Sequence, residues 1–337
     1  MLVTVLAGGI GGSRFLQGVR AVLDEHGGTG VPRPDAHLVA VVNTADDITL
    51  FGLRVSPDLD TVMYTLGGGS DTERGWGRSD ETFTAKAELA AYGAQPDWFG
   101  LGDRDLATHI LRTQMLAAGY PLSQVTEALC RRWPLGLRLL PMTDERVETH
   151  VVVADEESSA GARAIHFQEY WVRLHATPAV REVVLVGIED TTPAPGVAEA
   201  IAEADVVLLA PSNPVVSIGP ILAVPGIRAA LHRRSGPVVG ISPIISGSAV
   251  RGMADKLLPA IGVHTDAAAV GLHYGARSGG GVIDGWLVDE SDAAGLAALE
   301  AAGIAARAVP LFMDDTGASS AMAAAALELA GSVGARR

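Results

Sequence analysis

Apolar strand patterns rich in Val, Leu and Ile recur along the chain, at Leu2 to Ala7, Leu38 to Asn43, Val183 to Ile188, Val206 to Ala210, Val238 to Ile241, Val282 to Val288 and Ala306 to Pro310. Most are preceded or followed by helical Ala/Leu stretches. Strands covered by helices on both faces read as continuous apolar runs. The alternation therefore predicts an α/β fold with a doubly wound, mainly parallel, Rossmann-like sheet.

The rhythm breaks between about Leu59 and Arg138, where helical patterns dominate at Glu81 to Tyr92, Asp105 to Ala117 and Leu122 to Trp133. Thr149 to Ala154 and Ala162 to Trp171, joined by the polar turn DEESSAG, then read as an annexed β-hairpin. The expected organisation is a nucleotide-binding core from residues 1–60 and 175–330, carrying a helical insertion with the hairpin at 61–174. Thr192-Pro193-Ala194-Pro195-Gly196 marks a stiff connection back into the sheet. An Ala-rich helix from about Gly317 to Leu329 should pack, with Gly331 onward frayed.

Composition narrows the partners. The 337 residues carry a net charge of −14, which argues against nucleic acid, because phosphate backbones are bound through basic surface. Although 48% of residues are hydrophobic, no apolar run approaches the roughly 18 residues of a membrane span, so no membrane partner is expected. The single cysteine, Cys130, excludes an intramolecular disulfide and reads as a small core residue. The start MLVTVLAGG lacks the basic region of a signal peptide, and a cytoplasmic location is the expectation.

Two strand ends carry opposite chemistry. After the first strand, Gly8-Gly9-Ile10-Gly11-Gly12-Ser13 leads into a helix, presenting backbone N–H groups and a helix dipole to an anion, normally a phosphate. After the second, Asn43-Thr44-Ala45-Asp46-Asp47 and then Ser56-Pro57-Asp58-Leu59-Asp60-Thr61 crowd four carboxylates that repel one another unless a cation such as Mg²⁺ lies between them. An anion site beside a cation site is what metal-assisted phosphoryl transfer requires. The dinucleotide fingerprint is not kept, which disfavours a nicotinamide oxidoreductase.

Further along, Pro211-Ser212-Asn213-Pro214 and Ser217 follow a strand, where Asn213 and Ser217 either donate to a phosphate or sugar or cap their own backbone. Gly240-Ile241-Ser242-Pro243 repeats the design, with Arg251 and Lys256 nearby as positive charge or as solvent-facing residues. In the insertion, Gly100-Leu101-Gly102-Asp103-Arg104-Asp105 starts a helix that carries His109, while Trp76, Phe83, Trp98 and Phe99 form either insertion core or a flat wall for a planar ligand.

Taken together, the glycine-rich start, NTADD, SPDLDTVMY, LGDRDLATH, LPMTDE, HFQEYWV, PSNPVVSIGPIL and SPIISG make the chain resemble the 2-phospho-L-lactate or phosphoenolpyruvate transferases of coenzyme F-420 biosynthesis, the CofD/FbiA family, over essentially its whole length. The resemblance implies transfer of a lactyl- or enolpyruvyl-bearing phosphate from a GDP-activated three-carbon phospho-acid to the terminal ribityl hydroxyl of the deazaflavin Fo, with release of GMP and a requirement for Mg²⁺. By motif it assigns Asp46 and Asp60 as catalytic and metal-binding residues, with Asp47 and Asp58 as alternatives. Asp60 and the backbone of Gly100 would meet Fo in the insertion. Gly9, Gly11, Gly12, Ser13, Asn213 and Ser217 would hold the guanosine diphosphate part of the donor. A homodimer is expected. The rival expectation is a non-catalytic nucleotide-sugar-binding regulator of the same fold, resembling the gluconeogenesis-factor proteins, which would not need SPDLDT or the aromatic insertion.

Overall fold

The computed structural model of the chain describes residues 1–26, 37–71, 74, 76–155, 158 and 161–335. Seven strands, β1 (Val3–Ala7), β2 (Leu38–Val42), β3 (Arg138–Pro141), β4 (Val206–Leu209), β5 (Val238–Ile241), β6 (Gly285–Val288) and β7 (Ala305–Ala308), pair in the order β7-β6-β5-β4-β1-β2-β3. Every neighbouring pair is parallel. Chain order runs outward from β1 to β3 and then restarts on the other side of β1 with β4. The turns that leave β1, β2 and β4 therefore share one crevice at the carboxyl edge, where open α/β sheets bind ligands.

All residues of β1, β2, β4, β5 and β6 are buried, because both faces of the sheet are covered. Alternate side chains feed two cores: Val3, Val5 and Ala7 join one with Phe15 and Leu16, while Leu6 joins the other with Val207 and Trp286. This two-sided burial is why the strands read as unbroken apolar runs. On the first face, helix α1 (Gly9–His26) packs against α2 (Pro57–Leu66) and against the C-terminal helix Thr316–Gly334. Helix α2 begins at Pro57, whose fixed φ and missing N–H suit a first helical position. Beyond α2 lie α3 (Thr84–Ala91), α4 (Asp103–Ala117) and α5 (Leu122–Cys130).

Three expectations are corrected. Val183 to Ile188 is not a strand of the parallel sheet; Val180–Val186 pairs antiparallel with Glu148–Ala154, which also pairs with Ala162–His166. Its side chains are partly exposed along its whole length, so its apolar character reflects one covered face and not two. The seat in the parallel sheet is taken by β3, inside the interval 61–174. That strand ends in Pro141 and sits at an edge, where a missing N–H is tolerated. The second hairpin strand stops at His166, and Glu169–Arg173 forms a helical turn anchored by buried Tyr170, whose hydroxyl donates to the carbonyls of Ala176 and Pro178 at 3.3 and 3.2 Å. Finally, the C-terminal helix continues to Gly334, because Leu329, Ala330 and Val333 are buried. The DEESSAG turn lies partly outside the described residues.

The contact between α1 and the C-terminal helix needs a glycine. A Cβ at Gly18 would stand 2.2 Å from the Ser319 carbonyl oxygen, a backbone atom that cannot swing aside. Alanine is the better helix former by about 1 kcal/mol, but overpacking of this kind costs about 1–3 kcal/mol. Gly18→Ala is expected to lower the Tm, and a Tm at or above that of the unaltered chain in thermal unfolding would contradict the close approach.

Candidate active site

The glycines after β1 serve the meeting of three turns. Gly9 has φ +60°, a left-handed conformation that glycine adopts without strain. A Cβ on Gly8 would lie 2.5 Å from Asp58 Oδ2 and 2.7 Å from Ser217 Cβ, and one on Gly11 would lie 2.6 Å from the Pro211 carbonyl. The Gly8 N–H donates to Ser212 Oγ at 3.1 Å, and Ser212 Oγ donates to the Gly8 carbonyl at 2.8 Å, which fastens the β1 turn to the β4 turn. The Gly9 N–H donates to Asp58. A carboxylate thus already occupies the α1 N-terminus, where the sequence leads one to expect a phosphate.

The expected donor-binding side chains have local partners. Ser13 is buried and its hydroxyl donates to the Ile10 carbonyl at 2.9 Å. Asn213 caps the following turn, its Oδ1 accepting from the N–H groups of Val215 and Val216 at 2.9 and 3.3 Å. Ser217 is buried against Gly8. In the neighbouring turn Ser242 bonds both polar backbone groups of Ile244.

Asn43, at the end of β2, organises the acidic turn. Its Oδ1 accepts from the Ala45 N–H at 3.0 Å, and its Nδ2 donates to Asp58 Oδ2 at 3.0 Å and to the Val216 carbonyl at 3.1 Å. Around it Asp46, Asp47, Asp58 and Asp60 are only 1–8% exposed. Burial, followed by the Asp58 charge, pushes the Asp46 carboxyl well above the usual carboxylate range, against smaller opposing contributions from Thr149 and Asn43. Burial also pushes Asp58 up to about 7, although Asn43 and the Gly9 N–H partly offset it. Asp47 rises to about 6, burial again outweighing Arg54 and Ser56. Those two residues donate to Asp47 Oδ2 at 3.2 and 2.7 Å.

Asp46 Oδ1 and Asp47 Oδ1 have no hydrogen-bond donor although both are buried, and neither has the Thr44 hydroxyl a partner. Leaving such oxygens uncompensated is costly. Two buried hard oxygens short of donors, with the Asp58 charge acting on Asp46, fit a divalent cation such as Mg²⁺.

Asp60 belongs to a second, differently compensated cluster. Arg112 of α4 forks onto it, Nη1 donating to Oδ2 at 3.0 Å and Nη2 to Oδ1. Arg112 Nη1 also lies 3.3 Å from His109 Nδ1, which must accept, since a guanidinium only donates. His109 Nε2 is 3.3 Å from Asp105 Oδ2, and the Tyr64 hydroxyl donates to Asp105 Oδ1 at 2.5 Å. Burial alone would raise Asp105, yet the neighbouring His109, the Tyr64 hydroxyl and the Arg112 charge hold it below its ordinary value. Asp60, Asp105 and His109 each offer one ligand atom within 4.8 Å of the others and could hold a metal ion. Arg112, however, already supplies Asp60 with a full positive charge.

The structure thus brings Asp46 together with Asp58, and Asp60 together with Arg112, while Asp47 is influenced by both groups. Sequence reasoning missed Arg112, Arg54, Ser56, Tyr64 and Thr149. For Arg112 a signal existed, because Asp105, His109 and Arg112 recur at helical spacing on one face of α4. Gly100 abuts Trp76, a Cβ there falling 3.0 Å from the indole. Trp76 is half-exposed, meets Phe83 edge to face at 6.4 Å, and has the Arg74 guanidinium 5.4 Å from its centroid, so this part of the aromatic group is a surface wall and not core. Burial pushes the Cys130 thiol up to about 12, in keeping with a packing role.

The raised carboxyls have a consequence for stability. The folded chain holds these protons more tightly than the unfolded chain, so the metal-free protein loses stability as pH rises from about 4 through about 6 for Asp47 and about 7 for Asp58. Asp46→Asn removes one of the repelling charges. It is expected to raise the metal-free Tm by about 2–4 °C at pH 8 and to change it little at pH 4.5. A shift of equal size at both pH values in scanning calorimetry would contradict the repulsion.

The family model described as 2-phospho-L-lactate transferase CofD matches residues 3–327. A phosphoenolpyruvate transferase from Streptomyces griseus is 61% identical over 330 residues, covering 98% of each chain. One from Kitasatospora aureofaciens is 60% identical over 330 residues, also covering 98% of each chain. One from Mycobacterium sp. (strain KMS) is 59% identical over 334 residues, covering 98% of this chain and 99% of its own. Among solved structures, a UPF0052-family protein from Bacillus halodurans superposes with a TM-score of 0.59 at 20% identity, over 97% of this chain and 98% of that one, which supports the fold alone. With a family match over nearly its whole length and relatives at this identity, the chain belongs to the CofD family of 2-phospho-L-lactate transferases.

Proposed function

We propose that this protein moves a phosphoenolpyruvyl unit from a GDP-activated donor to the terminal ribityl hydroxyl of the deazaflavin Fo, in coenzyme F-420 biosynthesis, releasing GMP. The observation that carries the reading is the juxtaposition, at the switch point of the sheet, of unpartnered buried carboxylate oxygens on Asp46 and Asp47 with the N-terminus of α1. The relatives near 60% identity, each named a phosphoenolpyruvate transferase, favour the enolpyruvyl donor over the 2-phospho-L-lactyl one. They also favour an enzyme over a nucleotide-sugar-binding regulator.

In this reading the hydroxyl oxygen of Fo attacks the phosphorus that bears the three-carbon unit. The bond from that phosphorus to the bridging oxygen of GMP breaks, and the hydroxyl proton passes to a carboxylate of the acidic turn. Mg²⁺, held by Asp46 with Asp47 or Asp58, would neutralise charge on the diphosphate oxygens. Asp60, its carboxylate fixed by Arg112, orients the attacking hydroxyl. The backbone of Gly9 to Gly12 with Ser13, and the β4 turn with Asn213 and Ser217, line the guanosine diphosphate side. The planar ring of Fo lies along Trp76 beside Gly100. The reading includes a cytoplasmic homodimer. Among the described residues no single helix is long and apolar enough to cross a membrane.

GMP release should require both Fo and Mg²⁺, and stop when the metal is chelated. Mass analysis of products from reactions offered each donor should find the enolpyruvyl compound preferred. Asp46→Asn and Asp60→Asn should each lower turnover by roughly 100-fold or more, on the scale of losing one preorganised electrostatic contact. Full turnover in either variant would remove that residue from the chemistry, and an unchanged Fo fluorescence on titration with protein would sink the acceptor assignment.

A further inference from the structure

The segment His166-Phe167-Gln168 ends the antiparallel sheet and has no part in the reaction described above. Its side chains nevertheless reach the acidic turn. Gln168 Nε2 donates to the Asp46 carbonyl at 3.4 Å, and His166 Nε2 lies 3.2 Å from the Asp47 carbonyl. One residue earlier, the Ala45 carbonyl accepts from the Thr149 N–H at 2.6 Å. Three successive carbonyls, Ala45, Asp46 and Asp47, are therefore bonded to one small antiparallel sheet and the turn that leaves it.

The hydrogen-bond chemistry fixes the state of the histidine. A carbonyl only accepts, so the His166 proton is on Nε2. The Gln168 N–H only donates, at 3.1 Å, so Nδ1 is the bare acceptor. His166 is thus a neutral imidazole with one tautomer selected from both ends, and it is packed edge to face on His150 at 5.5 Å. With its carbonyls held by this sheet, the peptide planes of Asp46 and Asp47 cannot rotate freely, and each presents a buried oxygen, Oδ1, that has no donor.

We infer that His166 and Gln168 are positioning residues that hold the backbone of the acidic turn so that Asp46 and Asp47 present their carboxylates to one divalent cation. The inference rests on the metal reading above. Outer partners of metal ligands are typically worth 10–100-fold in affinity. Neither polar side chain is itself a member of the apolar cores, so their loss should be felt more at the site than in the fold.

The test uses the full chain, with Mn²⁺ binding followed by electron paramagnetic resonance, Mg²⁺ binding by calorimetry, and the metal-free Tm. His166→Phe keeps an aromatic ring but removes both the Nε2 donor and the Nδ1 acceptor, and Gln168→Leu removes the other donor. Each should weaken metal binding by about 10-fold or more. The Mg²⁺ concentration for half-maximal turnover should rise by the same factor, with kcat at saturating Mg²⁺ and the metal-free Tm little changed. His166→Gln, whose amide can reach the same carbonyl, should recover most of the affinity. If the unaltered chain binds metal and both donor-less variants bind it equally well, the inference falls while the function stands. If the variants lose affinity only in step with Tm, and His166→Gln does not repair it, the residues belong to the fold and the inference falls. If the unaltered chain binds no divalent cation, the metal reading fails and takes this inference with it.

Discussion

One buried amide, the side chain of Asn43, holds the candidate site together. Its oxygen shapes the acidic turn after β2 through the Ala45 N–H, and its nitrogen ties that turn to Asp58 at the start of α2 and to the Val216 carbonyl after β4. Two nearby segments and a third far along the chain are thereby fastened at the switch point of a parallel sheet, whose strand order makes them neighbours. No apolar residue could substitute, because each of the three partners would lose a buried hydrogen bond. The Ser212–Gly8 pair performs the same service between β1 and β4. Together these bonds decide where the carboxylates stand before any ligand arrives.

The four carboxylates that this framework buries are compensated in two ways. Asp60 has the planar fork of Arg112, a pairing whose geometry is matched and whose charge is permanent. Asp58 has only the Asn43 amide and the Gly9 N–H to set against burial, Asp46 has an oxygen with no donor at all, and their affinity for protons rises accordingly. The first arrangement is closed and suits a group that must keep its orientation. The second is electrically unfinished, and such a set of oxygens gains most from a cation. Two neighbouring acidic clusters that look alike in sequence thus differ in what they ask of a ligand.

The fold was legible where both faces of a strand are covered, because Leu38–Val42 or Val206–Leu209 can be nothing but apolar there. It was illegible at β3, where four residues ending in proline carry too short a pattern. It was misread at Val180–Val186, where an apolar run covers only one face of a small sheet. At the site, the crowding of Asp46, Asp47, Asp58 and Asp60 was visible, since they lie within fifteen positions of one another. Their division into two clusters was not, because it depends on Arg112 arriving from α4, some fifty residues away. Nor could the sequence say that Asn213 caps its own turn or that Ser13 bonds back into its helix, since the same residue types serve phosphate binding equally well. Nor could the sequence say that His109 is fully buried between Arg112 and Asp105.

The glycine turn and the acidic turn are best understood as one device. Had the α1 N-terminus been open, its N–H groups would form a generic phosphate site. Asp58 sits there instead, accepting from Gly9 and pressed so closely on Gly8 that no side chain fits between them. A diphosphate approaching this end of the helix meets a carboxylate, and two anions can share the place only if a proton or a cation lies between them. Asp46, whose proton affinity the Asp58 charge raises, stands under the same constraint. In the proposed function, anion binding at the glycine turn is therefore conditional on cation binding at the acidic turn, each supplying the charge that the other lacks.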